Sequence, residues 1–494
     1  MTRQELLEAL KKSESDNQYL QFRIDQLTRM IFGAKSERFI PSETHGQLEL
    51  PFEVEAKEEE PVKTEEIAYT RQKKERKDHP GRMPLPSHLP VQEIVLEPSE
   101  DTTGMKCLGN EVTDQLEFIP AKLYIKRYIR PRYIKPEDES LQTFKGVIAS
   151  LPDFIAEKCI AGPGLLAQII VDKYVDHLPI HRQLQRFARE DVHIPSNTMN
   201  GWQDKVSRSI ELLYKRQLQL VLGQGYLQVD ETPIRVLDKE VNGKCHQGYY
   251  WVYNSPLQKS VIFDYRKGRG REGPKEMLRD FRGYLQSDGY SVYDWFGQKK
   301  DITLVNCWAH ARRYFEKALQ YDKKPAEYVM KQIQMLYNIE RFAKNMNMAP
   351  AQRKELRLEH SLPILNELGK WMAENYSKHL PKSPMGEALH YTVPRWDNLL
   401  AYLYDGHIEI DNNLVENAIR PTALGRKNYL FAGSHEAAQR AAMFYSFFGT
   451  CKKNNVNPYE WLKDVLERLP NHKVNKLDEL LPQNWKALNQ TLPQ

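Results

Sequence analysis

Two acidic residues stand where short apolar strands are expected to end: Asp230 in GYLQVDETPIRV (225–236) and Asp288 at the close of the run Tyr284–Tyr290. Carboxylates are hard oxygen donors, so a pair delivered to strand ends of one sheet is suited to a hard cation such as Mg²⁺. A third acid, Glu416, lies in HIEIDNNLVENAIRP (407–421) and admits two readings. It is either a third functional carboxylate or a capping-box glutamate, the third position of a helix that Asn413 caps, one turn before Arg420. Glu231, next to Asp230, should point to the opposite face of its strand and is not counted as a ligand. His310 opens WAHARRYFEKAL (308–319) with Arg312 and Arg313. A lone histidine is more often structural than a general base, whereas the two arginines form a basic cluster able to face phosphates.

The elements that must position these groups follow in order. Alternation over Tyr226–Val229 and the β-rich Ile234–Leu237 predict a strand with a kink or bulge at Thr232-Pro233. Further strands are expected at 248–254 (GYYWVYN), 259–267 (KSVIFDYRK), 284–290 and 302–307 (ITLVNC), with a helix over 272–281 between the third and fourth. Residues 316–405 are charged and helical without a strand signal, which reads as an insertion. From 435 on the chain is helical, with Trp461, Leu462, Val465, Leu466 and Leu469 as a packing face.

Upstream, Leu6, Leu10, Ser13, Asn17, Leu20, Ile24, Leu27 and Ile31 alternate steps of four and three. This heptad pattern predicts a parallel two-stranded coiled coil over 1–34, with Asn17 at an a position, and hence a homodimer; an amphipathic helix folded on its own chain is the alternative. Residues 35–90 form a charged, Pro-rich linker containing RQKKERK (71–77). Residues 91–150 read as a small β-rich unit, with strands at Val112–Ile119 and Ala121–Tyr133, where Lys126 and Arg130 alternate with tyrosines as nucleic-acid candidates. Helices at Gly164–Tyr174, Pro179–Glu190 and from Ser196 give a helix-turn-helix-like region over 160–215, in which Asn200 and Gln203 would meet DNA. An ordinary helical subdomain would look similar.

A chain of 494 residues exceeds one core, and two to four domains are expected. The net charge of +5 is too small to argue for nucleic acid by itself. Five widely spaced cysteines, with no C-x-x-C pair, exclude a cysteine zinc site and make a disulfide framework a poor fit. The polar N-terminus and the lack of a long apolar run argue against a membrane and for a soluble, cytoplasmic protein.

The motifs IFGAKSERF (31–39), HPGRMPLPSHLP (79–90), VDETPIRV (229–236), SDGY (287–290), CWAHARRYF (307–315), IDNNLVENAIRP (410–421), GRKNYLFAGS (425–434) and NPYEWLKDVLERLP (457–470) occur in one order. Together they resemble the transposases of the bacterial insertion sequence 66 family, in the DDE superfamily, over nearly the whole chain. The resemblance implies a multidomain α+β protein: a ribonuclease-H-like catalytic core over 220–434 with a helical insertion at about 316–405, the coiled coil, the small β-ribbon unit, the helix-turn-helix-like region and a C-terminal helical element over 435–494. It implies Asp230, Asp288 and Glu416 as catalytic metal ligands. Mg²⁺, or Mn²⁺ in its place, would serve two-metal phosphoryl transfer on element ends and target DNA. Arg312, Arg313, Arg420, Arg426 and Lys427 join the candidate DNA contacts, and accessory proteins of the same element the candidate partners. Relatives commonly carry a four-cysteine zinc finger where only Cys107 stands here, so no zinc is expected. The arginine often found after the catalytic glutamate is Asn417, which leaves Arg420 to replace it. Two further readings share these features: a ribonuclease-H-like nuclease, and a transposase-derived DNA-binding protein without strand transfer.

Overall fold

A computed structural model describes residues 159–238 and 244–486, with short backbone stretches at 123–125, 129, 132–133 and 147–148. The expected coiled coil, the linker, the strand at Val112–Ile119, and Lys126 and Arg130 lie outside the described residues. Residues 45–151 are assigned to one compact unit, in which Arg132 pairs with Ile148 and Tyr133 with Val147 in a short antiparallel ladder. The described residues from 159 on belong to a second unit.

That second unit is built on a five-stranded mixed sheet: β1 (Tyr226–Leu237), β2 (Cys245–Ser255), β3 (Ser260–Arg266), β4 (Gly283–Ser287) and β5 (Ile302–Asn306), in the order β3-β2-β1-β4-β5. The first three strands run antiparallel, and β4 and β5 run parallel to β1. Val261, Ile262 and Phe263 on β3 are all fully buried, so layers cover both faces of the sheet, and near-continuous apolar strands result.

The expected bulge at Thr232-Pro233 does not occur: pairing with β2 is unbroken from Gln228↔Asn254 to Leu237↔Cys245. Past Gln228 the other side of β1 is no longer covered by β4. On that side Arg235 O and Leu237 N bond to Ala432 N and O, both at 2.8 Å. Pro233 has the same parity, so its missing N–H points away from β2 and removes no bond from the ladder.

Four helices precede the sheet: α1 (Pro163–Tyr174), α2 (Ile180–Ala188), α3 (Ser196–Ser209) and α4 (Glu211–Leu222). Residues 189–195 join α2 to α3, a longer link than the roughly three to four residues of a helix-turn-helix. The expected border near 215–220 falls inside α4, whose Tyr214 hydroxyl donates to Phe263 O at 2.8 Å and whose Gln217 bonds Ser260 and Thr450. Helices α1 to α4 share one apolar core with the sheet and the C-terminal helices rather than forming a separate body.

After β3 come α5 (Glu272–Met277), shorter than expected, and, beyond β4, α6 (Ser291–Asp294). Helix α7 (Trp308–Ala318) follows β5, and the stretch read as an insertion, about 316–405, is helical: α8 (Lys323–Asn345), α9 (Pro350–Leu356), a π turn (Arg357–Ser361), α10 (Leu362–Asn375), α11 (Pro384–Thr392) and α12 (Trp396–Leu400). A second core includes Trp308, Phe315, Met330, Leu368 and Leu389. At its heart the fully buried Arg357 donates to both Glu340 oxygens, at 2.7 and 2.8 Å, and to the carbonyls of Tyr402, Asp405 and Ile408. The chain then enters α13 (Asn413–Tyr429), α14 (His435–Lys453) and α15 (Pro458–Arg468). Among the described residues no helix is long and apolar enough to cross a membrane.

Candidate active site

Gln228 of β1 stands opposite Gln286 of β4 in parallel register. Two residues further on come Asp230, still within β1, and Asp288, one residue past the end of β4, so both lie just beyond the last residues paired between these neighbouring strands. Beneath them the two glutamines make a buried polar layer. Gln228 Nε2 donates to Gln286 Oε1 at 2.9 Å and to Asp411 O at 2.9 Å, and Gln286 Nε2 donates to Glu409 O at 2.8 Å. The Tyr226 hydroxyl donates to Gln286 Oε1 and accepts from Glu409 N. These bonds dock segment 409–411 on the sheet, and that segment leads straight into α13. Glu416 is thereby carried to the acids by side chains that the sequence reading did not single out.

Asp288 sits in a turn that needs glycine after it. Gly289 has φ +88, and a Cβ there would meet Arg395 Nε at 2.6 Å. Arg395 donates to Gly289 O at 3.0 Å, the Tyr391 hydroxyl donates to Asp288 O, and the Asp288 carboxylate accepts from Tyr290 N at 2.9 Å. The insertion thus grips the backbone of the second acid.

Asp230 accepts from the Glu231 backbone N–H at 2.8 Å. Burial pushes its proton affinity well above the ordinary carboxylate range, and the charges of Asp288, Glu231 and, less strongly, Glu416 add to the shift. Glu231 stands across from Trp251, on the face opposite Asp230, as alternation predicts. Its side chain is 2% exposed and takes the Arg269 guanidinium at 2.5 and 2.9 Å, with the Tyr293 hydroxyl at 3.5 Å.

The capping reading of Glu416 fails. The helix cap is Asn412, without a side-chain bond, and the Asn413 N–H is met by Asp411 at 3.1 Å. The Glu416 carboxylate instead accepts from Arg313 Nη2 at 3.0 and 3.1 Å, with His310 Nε2 3.6 Å away. Among the described residues no three His, Cys, Asp or Glu side chains form a ready-made cation cage. The donor chemistry nevertheless fits a hard divalent cation: Asp230 is buried among like charges, and the guanidinium on Glu416 marks a place where positive charge is already favoured.

Of the candidate DNA contacts, Asn200, Arg420 and Lys427 are exposed. Arg426 is half-buried and donates to Pro233 O. Two candidates are corrected. Gln203 is 2% exposed and accepts from Lys173 Nζ at 3.1 Å and the Tyr174 hydroxyl at 3.4 Å. Arg312 is 3% exposed, on the inner face of α7 with Trp308, Ala311 and Phe315. Both fall on an i, i+3, i+4, i+7 buried stripe, with Met199, Trp202 and Val206 flanking Gln203, so helical periodicity carried the signal. Arg313, one step round α7, faces Glu416.

Residues 158–440, more than half of the chain, match the family described as "Transposase IS66 family", residues 446–483 match "IS66 C-terminal element", and residues 19–94 match "Transposase C of IS166 homeodomain". Similar chains include three uncharacterized proteins of Sinorhizobium fredii. Protein y4jD is 30% identical over 82% of this chain and 82% of its own, and y4hP 29% identical over 94% and 88%. Protein y4qI is 31% identical over 83% and 79%. No solved structure matches the chain. With its central and C-terminal parts both matched in order, the chain belongs to the IS66 family of transposases.

Proposed function

We propose that the chain binds the ends of its insertion sequence, cleaves there to free 3′-hydroxyls and joins them to target DNA, with Asp230, Asp288 and Glu416 as the catalytic carboxylates. The observation that carries this reading is that Asp230 and Asp288 each follow by two residues the paired Gln228 and Gln286 of adjacent parallel strands, with the charges of Asp288 and Glu416 both felt at Asp230 and segment 409–411 docked by the glutamine layer. The strand order β3-β2-β1-β4-β5, antiparallel in its first half and parallel in its second, supports a ribonuclease-H-like core.

In cleavage, a water oxygen bonds to phosphorus, the bond from phosphorus to the 3′ oxygen breaks, and a 3′-hydroxyl and a 5′-phosphate remain. In joining, the freed 3′ oxygen bonds to a target phosphorus and the target's own 3′ oxygen leaves with a proton. Mg²⁺ held by the three carboxylates would supply activation of the attacking oxygen and stabilisation of the leaving one. The chain's residues supply the frame. Arg395 and Tyr391 fix the Asp288 turn, the Arg269–Glu231 pair sits on the other face behind Asp230, and Arg313 with His310 holds Glu416 in place. Exposed Arg420 and Lys427 on α13 extend from the same helix as Glu416 and suit DNA phosphates.

Purified protein, labelled DNA carrying the element's ends and an unlabelled target plasmid test the proposal. Labelled ends covalently attached to the plasmid support it. Cleavage without attachment supports the nuclease reading, and binding without either supports the DNA-binding one.

A further inference from the structure

A partly open hollow lies on the same sheet face as Asp230, away from the acids along β1 and α13. Its volume is about 200 Å³, below the roughly 300–1,000 Å³ usual for sites that take a whole cofactor or drug-sized ligand. It therefore suits one flat ring system. Its walls are aromatic to an unusual degree: Tyr174, Tyr250 and Tyr445 are nearly buried, Tyr429 shares a hydroxyl bond with Tyr445, and Phe431 stands 42% exposed at the rim. The loop that presents Phe431 begins at Leu430, held at φ +57, a left-handed conformation costly for a bulky residue. Such a conformation orients the next side chain instead of letting it fold back onto the helix.

The edge of the hollow is cationic. Lys173 and the exposed His181 line it, and Arg426 sits among the same tyrosine hydroxyls. An aromatic slot with positive charge at its mouth is the chemistry of nucleobase stacking beside a phosphate backbone. Position agrees. Ile234, which lines the hollow, lies four residues from Asp230 on one strand face, about 13 Å away at the usual rise. Thr422, on the opposite wall, lies six residues from Glu416 on α13, about 9 Å away. At about 3.4 Å per duplex nucleotide these spans correspond to roughly three or four nucleotides.

We infer that this hollow captures one nucleobase of the element end, turned out of the duplex roughly three or four nucleotides from the phosphodiester that is cut, and stacks it against Phe431. The inference rests on reading the chain as a transposase acting on its ends. An extruded base would lend the end a fixed register at the acids, because the base can enter only when the backbone lies along α13.

The test uses the full chain and duplexes carrying the terminal sequence of its element, with 2-aminopurine placed at each position in turn and cleavage in Mg²⁺ followed on the same duplexes. The wild type should change the emission of one position near the cut by twofold or more. Phe431→Ala should return that emission to the free-duplex value and weaken end binding about tenfold, while Phe431→Trp keeps both. Phe431 is partly exposed, so its removal leaves the fold intact, which a thermal melt checks. Cleavage with no position changing overturns the hollow and leaves the transposase reading standing. One position changing, with loss in Phe431→Ala and no cleavage, upholds the hollow and overturns the catalytic reading. Silence in both arms overturns the two together.

Discussion

Asp230→Asn should make the protein more stable while removing its chemistry. Burial desolvates the native carboxylate, and Asp288, Glu231 and Glu416 further disfavour its charge. Because its proton is held more tightly in the folded chain than in the unfolded one, ionising it works against folding. Stability is therefore greatest below the ordinary aspartate value of 3.8, falls as pH rises towards the folded-state value and stays lower above it. Burial is the largest of these effects, and the neighbouring carboxylates add to it. Arg269 on Glu231 and Arg313 on Glu416 offset a share of this, and a net gain of about 1–2 kcal/mol is expected, the usual size of a single stabilising change. Asparagine keeps the shape and the 2.8 Å bond from Glu231 N but carries no charge. Thermal melts without divalent cation should therefore put Asp230→Asn about 1–3 °C above the wild type at pH 8, the gap closing towards pH 4. Adding Mg²⁺ at ten times its dissociation constant should raise the wild type by about 1.4 kcal/mol and leave the variant unmoved. A variant less stable than the wild type at pH 8, or a gap that does not change with pH, would refute this electrostatic account.

Three further outcomes are expected. Arg357→Met should cost about 3 kcal/mol in urea unfolding by stranding the buried Glu340 carboxylate, and Glu340→Gln added to it should recover part of the loss; an unchanged midpoint for the single variant contradicts the buried pair as described. The purified protein should hold no stoichiometric zinc, and one zinc per chain by elemental analysis would mean that ligands other than cysteine pairs were overlooked. Residues 1–34 alone should sediment as a dimer, with Asn17→Ile tightening association and admitting higher oligomers; a monomer at high concentration would place dimerisation elsewhere.

Strand count, strand sequence and the helical insertion could be read from the chain because each follows from local pattern. Runs such as VIFDYR and ITLVN are too apolar and β-branched to lie elsewhere than inside a sheet. Asp230 and Asp288 were legible for the same reason, as polar endings to apolar runs. The placing of Glu416 was not, since a glutamate near a helix start satisfies a capping rule equally well, and only the long-range contact with Arg313 separates the two. Pro233 suggested a bulge because a sequence does not reveal which side of a strand lies uncovered. Gln203 and Arg312 looked like surface groups by residue type, yet both sit on the apolar stripe of their helices, where a neighbouring core accepts a polar head that finds partners. The short linkage between α3 and α4 hid a helix that belongs with the sheet, because its pattern ELLYKRQLQLVL mixes charges with the buried Leu213, Tyr214, Gln217 and Val221.

If Asp230, Asp288 and Glu416 act together on DNA ends, Glu416→Gln must abolish joining. In a joining assay with labelled element ends, target plasmid and Mg²⁺, the wild type should give attached product. The variant, matched for end binding by gel shift, should give none above background. Joining by Glu416→Gln at a rate within tenfold of the wild type would contradict the account, because the carboxylate that the glutamine layer and Arg313 hold in place would then have no part in the chemistry.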